Sequence, residues 1–124
     1  MLFDSGSEFS YTEGLGIIDG TVELLRHEDD RKIVLPHIGW NKLIAHSSDS
    51  CLNSLFDTSY QFFVHSYAAH DVKQDDILFS CVYEDIEFVS AIKRNRVVGF
   101  QFHPERSGVS GLALLDYICG VIGA

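Results

Sequence analysis

Hydrophobic and polar positions alternate along much of this chain with the period of a strand, and only its last stretch has helical spacing. Ile77 to Tyr83, Phe88 to Ile92 and Val97 to Phe102 predict three strands. Tyr60 to Tyr67 predicts another, bounded by the polar Asp57-Thr58-Ser59. Gly16 to Gly20 and Thr21 to Leu25 suggest two short strands around a turn, and Lys32 to Pro36 a strand stopped by its proline. Arg26 to Arg31 is a charged loop, and His37 to Asn41 is expected to be a structured loop. Cys51 to Phe56 predicts one helical turn. Ser110 is expected to cap a final helix with Leu112, Leu115 and Cys119 on one face.

The densest chemistry lies in Val97-Val98-Gly99-Phe100-Gln101-Phe102-His103-Pro104-Glu105-Arg106-Ser107-Gly108. It reads as a buried strand ending on a histidine and a glutamate. Strand side chains alternate, so Gln101, His103 and Glu105 are expected to project together, with Phe100 and Phe102 opposite. Pro104 has no N–H to extend a ladder and ends the strand there. A carboxylate beside an imidazole fixes its tautomer and supports its protonated form. The pair is an oriented general base that needs a nucleophile.

Cys51, Cys81 and Cys119 do not supply one, because none stands in a Gly-x-Cys-x-Gly turn. They are odd in number and widely spaced, which argues against a disulfide framework or a structural zinc and for a reduced, cytoplasmic setting. His27, His37, His46 and His70 show no ligand spacing, so no metal and no cofactor is expected. Eighteen acidic against nine basic residues give a net charge of -9, leaving no basic stripe for a nucleic-acid backbone. The Met1 to Gly6 start is not a signal peptide, and the apolar stretch from Gly111 to Ala124 is too short to span a bilayer. No repeat or linker divides the 124 residues, so a single partial domain is expected.

Strands followed by one helix would suit a small α+β domain. Long apolar strands with chemistry at their ends suit an α/β sheet better. The βαβ units of a doubly wound sheet are missing, which points to an incomplete fold.

Five segments in order resemble the class I glutamine amidotransferases, and among them the glutaminase subunits of imidazole glycerol phosphate synthase. They are Leu2-Phe3-Asp4-Ser5-Gly6-Ser7-Glu8, Gly14-Leu15-Gly16-Ile17-Ile18-Asp19-Gly20, Pro36-His37-Ile38-Gly39-Trp40-Asn41, Phe63-Val64-His65-Ser66-Tyr67 and Phe100 to Gly108. The resemblance implies a flavodoxin-like α/β fold, incomplete in this chain. It implies glutamine as substrate, a cysteine thiolate attacking its amide, and ammonia passed to a cyclase (β/α)8-barrel partner in histidine biosynthesis. By the same resemblance His103 is the general acid/base and Glu105 orients it. Glu8 matches the residue that holds the substrate's α-amino group. His65, Ser66 and Tyr67 match the segment beside the substrate carboxylate, contributing mostly backbone atoms. Trp40, Asn41 and Arg106 match positions near the subunit interface.

The family's Gly-x-Cys-x-Gly elbow lies just upstream of the segment that matches Met1-Leu2-Phe3, so the chain is expected to begin after its nucleophile and to be inactive alone. Two alternatives stay open. One is a non-catalytic or split-enzyme module that binds a cyclase-like partner. The other is an amidotransferase of surface-polysaccharide biosynthesis.

Overall fold

The computed structural model describes residues 3–6, 12–13, 18–26, 32–47 and 49–123. Its strands are β1 (Phe3–Gly6), β2 (Thr12–Glu13), β3 (Ile18–Leu24), β4 (His37–Lys42), β5 (Ile44–Ala45), β6 (Tyr60–His65), β7 (Tyr67–His70), β8 (Ile77–Tyr83), β9 (Ile86–Arg94) and β10 (Val97–Phe100). Helix α1 covers Ser50–Phe56 and α2 covers Gly108–Gly123. Eight strands form one mixed sheet in the order β2-β1-β3-β7-β9-β8-β5, with β10 also paired to β9. β4 and β6 pair as a separate two-stranded sheet.

Among the described residues the fold is α/β, with a mixed sheet and two helices. Of the sheet's described pairings only β1 with β3 is parallel. Connection length explains two of the antiparallel pairs, β8 with β9 and β9 with β10. Glu84-Asp85 joins β8 to β9 with both residues at positive φ (47° and 66°), the geometry of a tight two-residue hairpin. Asn95-Arg96 joins β9 to β10 as tightly. Two residues can link only antiparallel neighbours.

Several expected elements hold. β8 has the expected bounds, β9 contains the expected core strand, and α1 covers the expected helical turn. Asp49 caps α1 by accepting from the Cys51 and Leu52 amides at 3.0 and 3.1 Å.

Others differ for physical reasons. The two short strands expected around Asp19-Gly20 are one strand from Ile18 to Leu24, which Gly20 passes through at φ 137°. Residues 14–17 lie outside the described part. Lys32 to Pro36 forms no strand, because the Val34 amide donates to Glu84 Oε2 at 2.7 Å and its carbonyl accepts from the Tyr83 hydroxyl. Side chains there satisfy backbone groups that a ladder would use. His37 to Asn41, expected as a loop, is strand β4, in register with β6 from His37 opposite His65 to Lys42 opposite Tyr60.

The run from Tyr60 to Tyr67 breaks at Ser66, where the chain leaves the small sheet and enters the large one. The last strand stops at Phe100 and is only half-buried. Beyond it Gln101 donates to the Ser90 carbonyl at 2.8 Å and His103 to the Phe62 carbonyl at 2.9 Å, so the chain passes from β9 to β6.

Helix α2 begins at Gly108, and Ser110 lies inside it rather than capping it. Its buried face is Gly111, Leu114 and Ile118, while Leu112 and Cys119 are exposed. The spacing matches the expected stripe, but the phase is shifted by one residue. Apolar residues surround this helix, so spacing alone does not set its phase. Close approach does: a Cβ on Gly111 would fall 1.9 Å from the Pro104 carbonyl oxygen. Leu114 and Ile118 then join a core with Phe63, Phe79, Phe88 and Phe102.

Candidate functional site

His103 and Glu105 meet across a 3-10 turn, Pro104–Arg106, rather than along a strand. His103 Nδ1 lies 2.9 Å from Glu105 Oε1. A carboxylate only accepts, so Nδ1 carries the proton and Nε2 of the neutral ring keeps its lone pair. The imidazole is about 41% exposed, open to a reacting group. The Glu105 carboxyl is held below the usual carboxylate range, first by its own backbone amide and then by the bond to His103. Gln101, expected on the same face, lies where the strand has already ended.

The turn is anchored from below by Ser107, which is buried. Its Oγ donates to the His103 carbonyl at 2.6 Å and accepts from the Phe62 amide at 2.8 Å. The His103 amide returns a bond to the Phe62 carbonyl at 2.9 Å. One serine thus fixes the catalytic-looking turn to β6. Gln61 Nε2 adds a bond to Ser110 Oγ at 2.8 Å, tying the same strand to α2.

The same strand β6 ends on His65, buried and followed by Ser66 and Tyr67 at the crossing between sheets. The Ser66 carbonyl accepts from the Leu25 amide at 2.9 Å. His65 Nδ1 faces the Tyr67 carbonyl at 2.9 Å, and its Nε2 faces His37 Nδ1 at 2.8 Å. The His37 ring stacks on Tyr83 at 4.1 Å between centroids and on Phe63 at 5.1 Å. Burial, with the neighbouring His65 second, lowers the His37 pKa from 6.5 to about 4. Burial lowers that of His65 as well, opposed by the Tyr67 carbonyl. Both rings are neutral at pH 7.

The small sheet separates its two faces by alternation. Inward are His37, Asn41, Gln61, Phe63 and His65; outward are Ile38, Trp40, Tyr60, Phe62 and Val64. Trp40 is 56% exposed and meets Phe62 edge-on at 5.9 Å. Its neighbour Asn41 turns the other way, donating to the Val82 carbonyl at 2.9 Å. Arg106 is exposed on the turn beside Glu105. Of the three residues matched to an interface, Trp40 and Arg106 face outward and Asn41 braces the interior. Glu8 lies outside the described residues.

Cys81 is buried in β8, with its thiol pushed up to about 12 by burial, while Cys51 and Cys119 are exposed on the two helices. Among the described residues no cluster of His, Cys, Asp or Glu could hold a metal ion, and no helix is long and apolar enough to cross a membrane. Sequence reasoning gave no role to His37, Ser107 or Gly111. The signal for Ser107 was its place three residues after a proline turn. Nothing local marks His37, whose partner lies on another strand.

Comparison with known proteins gives this chain its family. Residues 15–115 match the family "Glutamine amidotransferase class-I", and the chain belongs to that family. Within it the chain is 39% identical over 119 residues to "Imidazole glycerol phosphate synthase subunit HisH" of Salinibacter ruber, covering 94% of this chain and 54% of that relative. The protein of the same name from Pyrococcus furiosus is 39% identical, covering 93% of this chain and 57% of its own length. "HisH 2" of Pseudomonas aeruginosa is 41% identical, covering 87% and 52%. The chain spans about half the length of the curated relatives it matches.

Proposed function

We propose that this chain is part of a glutaminase subunit that releases ammonia from glutamine for a partner cyclase in histidine biosynthesis. The observation that carries the reading is the His103–Glu105 pair at 2.9 Å, locked to β6 inside the family match. The likeness to HisH subunits supports the pathway. The reading puts the protein in the cytoplasm.

In this mechanism a cysteine thiolate attacks the amide carbon of glutamine. His103 Nε2, having taken the thiol proton that made the thiolate, gives it to the departing nitrogen as the C–N bond breaks, and ammonia leaves a glutamyl thioester. His103 Nε2 then takes a proton from water, which attacks the thioester and frees glutamate. Glu105 holds Nδ1–H, so Nε2 always points to the chemistry and the transient imidazolium is stabilised. Residues 65–67 line the substrate carboxylate, and Glu8 binds its amino group. None of Cys51, Cys81 and Cys119 stands in a Gly-x-Cys-x-Gly turn, so this reading assigns the thiolate to none of them.

The outward face of Ile38, Trp40 and Tyr60, with Arg106, is the docking surface for the cyclase in this reading. That apolar face also favours a second reading, in which the chain binds such a partner without turning over glutamine.

The test is ammonia release from glutamine by this chain combined with a cysteine-bearing amidotransferase segment. Turnover is expected, and His103→Ala is expected to lower it about a hundredfold or more. Full turnover in that variant, or none in the combined protein, sinks the catalytic reading; partner binding without turnover selects the second.

A further inference from the structure

The buried chain Asn41–His37–His65–Tyr67 has a direction that its last acceptor imposes. The Tyr67 carbonyl can only accept, so His65 Nδ1, 2.9 Å away, carries a proton. In a neutral ring His65 Nε2 then has a lone pair, and His37 Nδ1 at 2.8 Å must be the donor. That leaves His37 Nε2 as an acceptor, and Asn41 Nδ2 stands 3.4 Å from it. The Asn41 amide orientation is independently fixed. Its Oδ1 accepts from the Lys42 amide at 2.7 Å and its Nδ2 donates to the Val82 carbonyl at 2.9 Å. Every atom in the chain has one consistent role.

We propose that His37 is a positioning residue: by donating to His65 Nε2 it holds His65 in the tautomer that grips the Tyr67 carbonyl, and so sets the backbone course of residues 65–67. Its importance for substrate rests on the amidotransferase reading, which puts that segment against the carboxylate of glutamine. His65 has both ring nitrogens committed and takes no part in proton transfer.

The surroundings favour this role over simple packing. A phenylalanine would keep a ring between Tyr83 and Phe63 but would remove the Nδ1–H. Without the His37 proton, His65 can adopt the other tautomer and leave the Tyr67 carbonyl without its donor. The control point is well placed, because Ser66 is where the chain changes sheets, between the two strands, with its carbonyl accepting from the Leu25 amide at 2.9 Å. The titratable groups facing His37 are His65 from β6 and Tyr83 from β8; its other ring contacts, Phe63 and Phe88, carry no charge.

The test is imidazole nitrogen NMR on the 124-residue chain at pH 7.5. Wild type is expected to show Nδ1–H tautomers at both His37 and His65. An Nε2–H tautomer at His65 overturns the proposal without any variant. In His37→Phe, His65 is expected to lose its fixed tautomer and the backbone signals of residues 66–68 to shift. In His37→Asn, whose amide nitrogen stands near the former Nδ1, both are expected to be retained. If His37→Phe leaves the tautomer and signals unchanged, or if His37→Asn loses them as fully as His37→Phe, the positioning role is wrong.

Titration with L-glutamine of this chain combined with a cysteine-bearing amidotransferase segment separates this inference from the function it rests on. The dissociation constant is expected to rise roughly tenfold in His37→Phe and to recover in His37→Asn, the worth of one buried hydrogen bond. No binding by wild type counts against the amidotransferase reading, while the tautomer measurement still decides the role of His37. Equal binding by wild type and by a His37→Phe variant with a freed tautomer overturns the link to substrate.

Discussion

Gly111 of α2 lies so close to Pro104 that a Cβ would come within 1.9 Å of the proline carbonyl oxygen. That contact seats the helix on the turn carrying His103 and Glu105. The Pro104 carbonyl is engaged as well, accepting from the Ser107 amide at 3.1 Å. Backbone stands on both sides of the contact, so a methyl group cannot be absorbed by rotating a side chain. Gly111→Ala is expected to destabilise by about 1–3 kcal/mol through overpacking, despite alanine's better helix propensity. Urea unfolding measures it, and equal or higher stability would show that the helix and turn are not in this contact.

Ser107 tests the other anchor of the turn. Its hydroxyl satisfies the Phe62 amide and the His103 carbonyl together, in a site that is 1% exposed. Ser107→Ala leaves that amide without its acceptor, and the expected loss is roughly 1–3 kcal/mol. The His103 ring is also expected to sharpen less in proton NMR as the turn loosens. A variant with unchanged stability and an unchanged His103 signal would rule out the anchoring role.

Acid should weaken the fold through the buried histidines. His37 has its pKa lowered from 6.5 to about 4, so between these values the unfolded chain takes up the proton and the folded chain does not. Stability is therefore full above about pH 6.5 and falls as pH drops towards 4. At roughly 1.4 kcal/mol per unit, the loss has a ceiling on the order of 3 kcal/mol, with His65 acting in the same direction. The urea midpoint from pH 7.5 to 4.5 measures it, and His37→Phe should flatten the profile. The same slope in that variant would place the titration elsewhere.

Legibility in the sequence followed how local the deciding forces are. β8 could be read with its correct ends because its pattern and its two-residue turn lie within a few positions of each other. β4 could not, since Gly39 and Asn41 look like loop residues and the strand exists through pairing with β6, about twenty residues on. The phase of α2 was hidden for a related reason: its apolar residues allow several faces, and Gly111 meeting Pro104 selects one. The His103–Glu105 pair was visible because the two are neighbours, although a 3-10 turn and not strand alternation brings them together. Ser107 and His37 were not assigned a role because their partners, Phe62 and His65, are distant in sequence.

Trp40 gives the docking reading an optical test. It is the only tryptophan in the chain, and it stands 56% exposed on the outward face beside Phe62. An indole in water emits to the red of one buried in an interface, so adding the cyclase subunit should shift the emission to the blue. Ile38, two residues away on the same face, is 62% exposed. Ile38→Asp should change the free chain by no more than about 0.5 kcal/mol, since the side chain already faces water. In a complex it would bury a carboxylate against apolar surface, and binding should weaken a hundredfold or more. A blue shift in wild type that disappears in Ile38→Asp places this face in the interface. A shift that survives the substitution moves the interface off this face, and no shift at all leaves Trp40 in solvent and removes it from the docking surface.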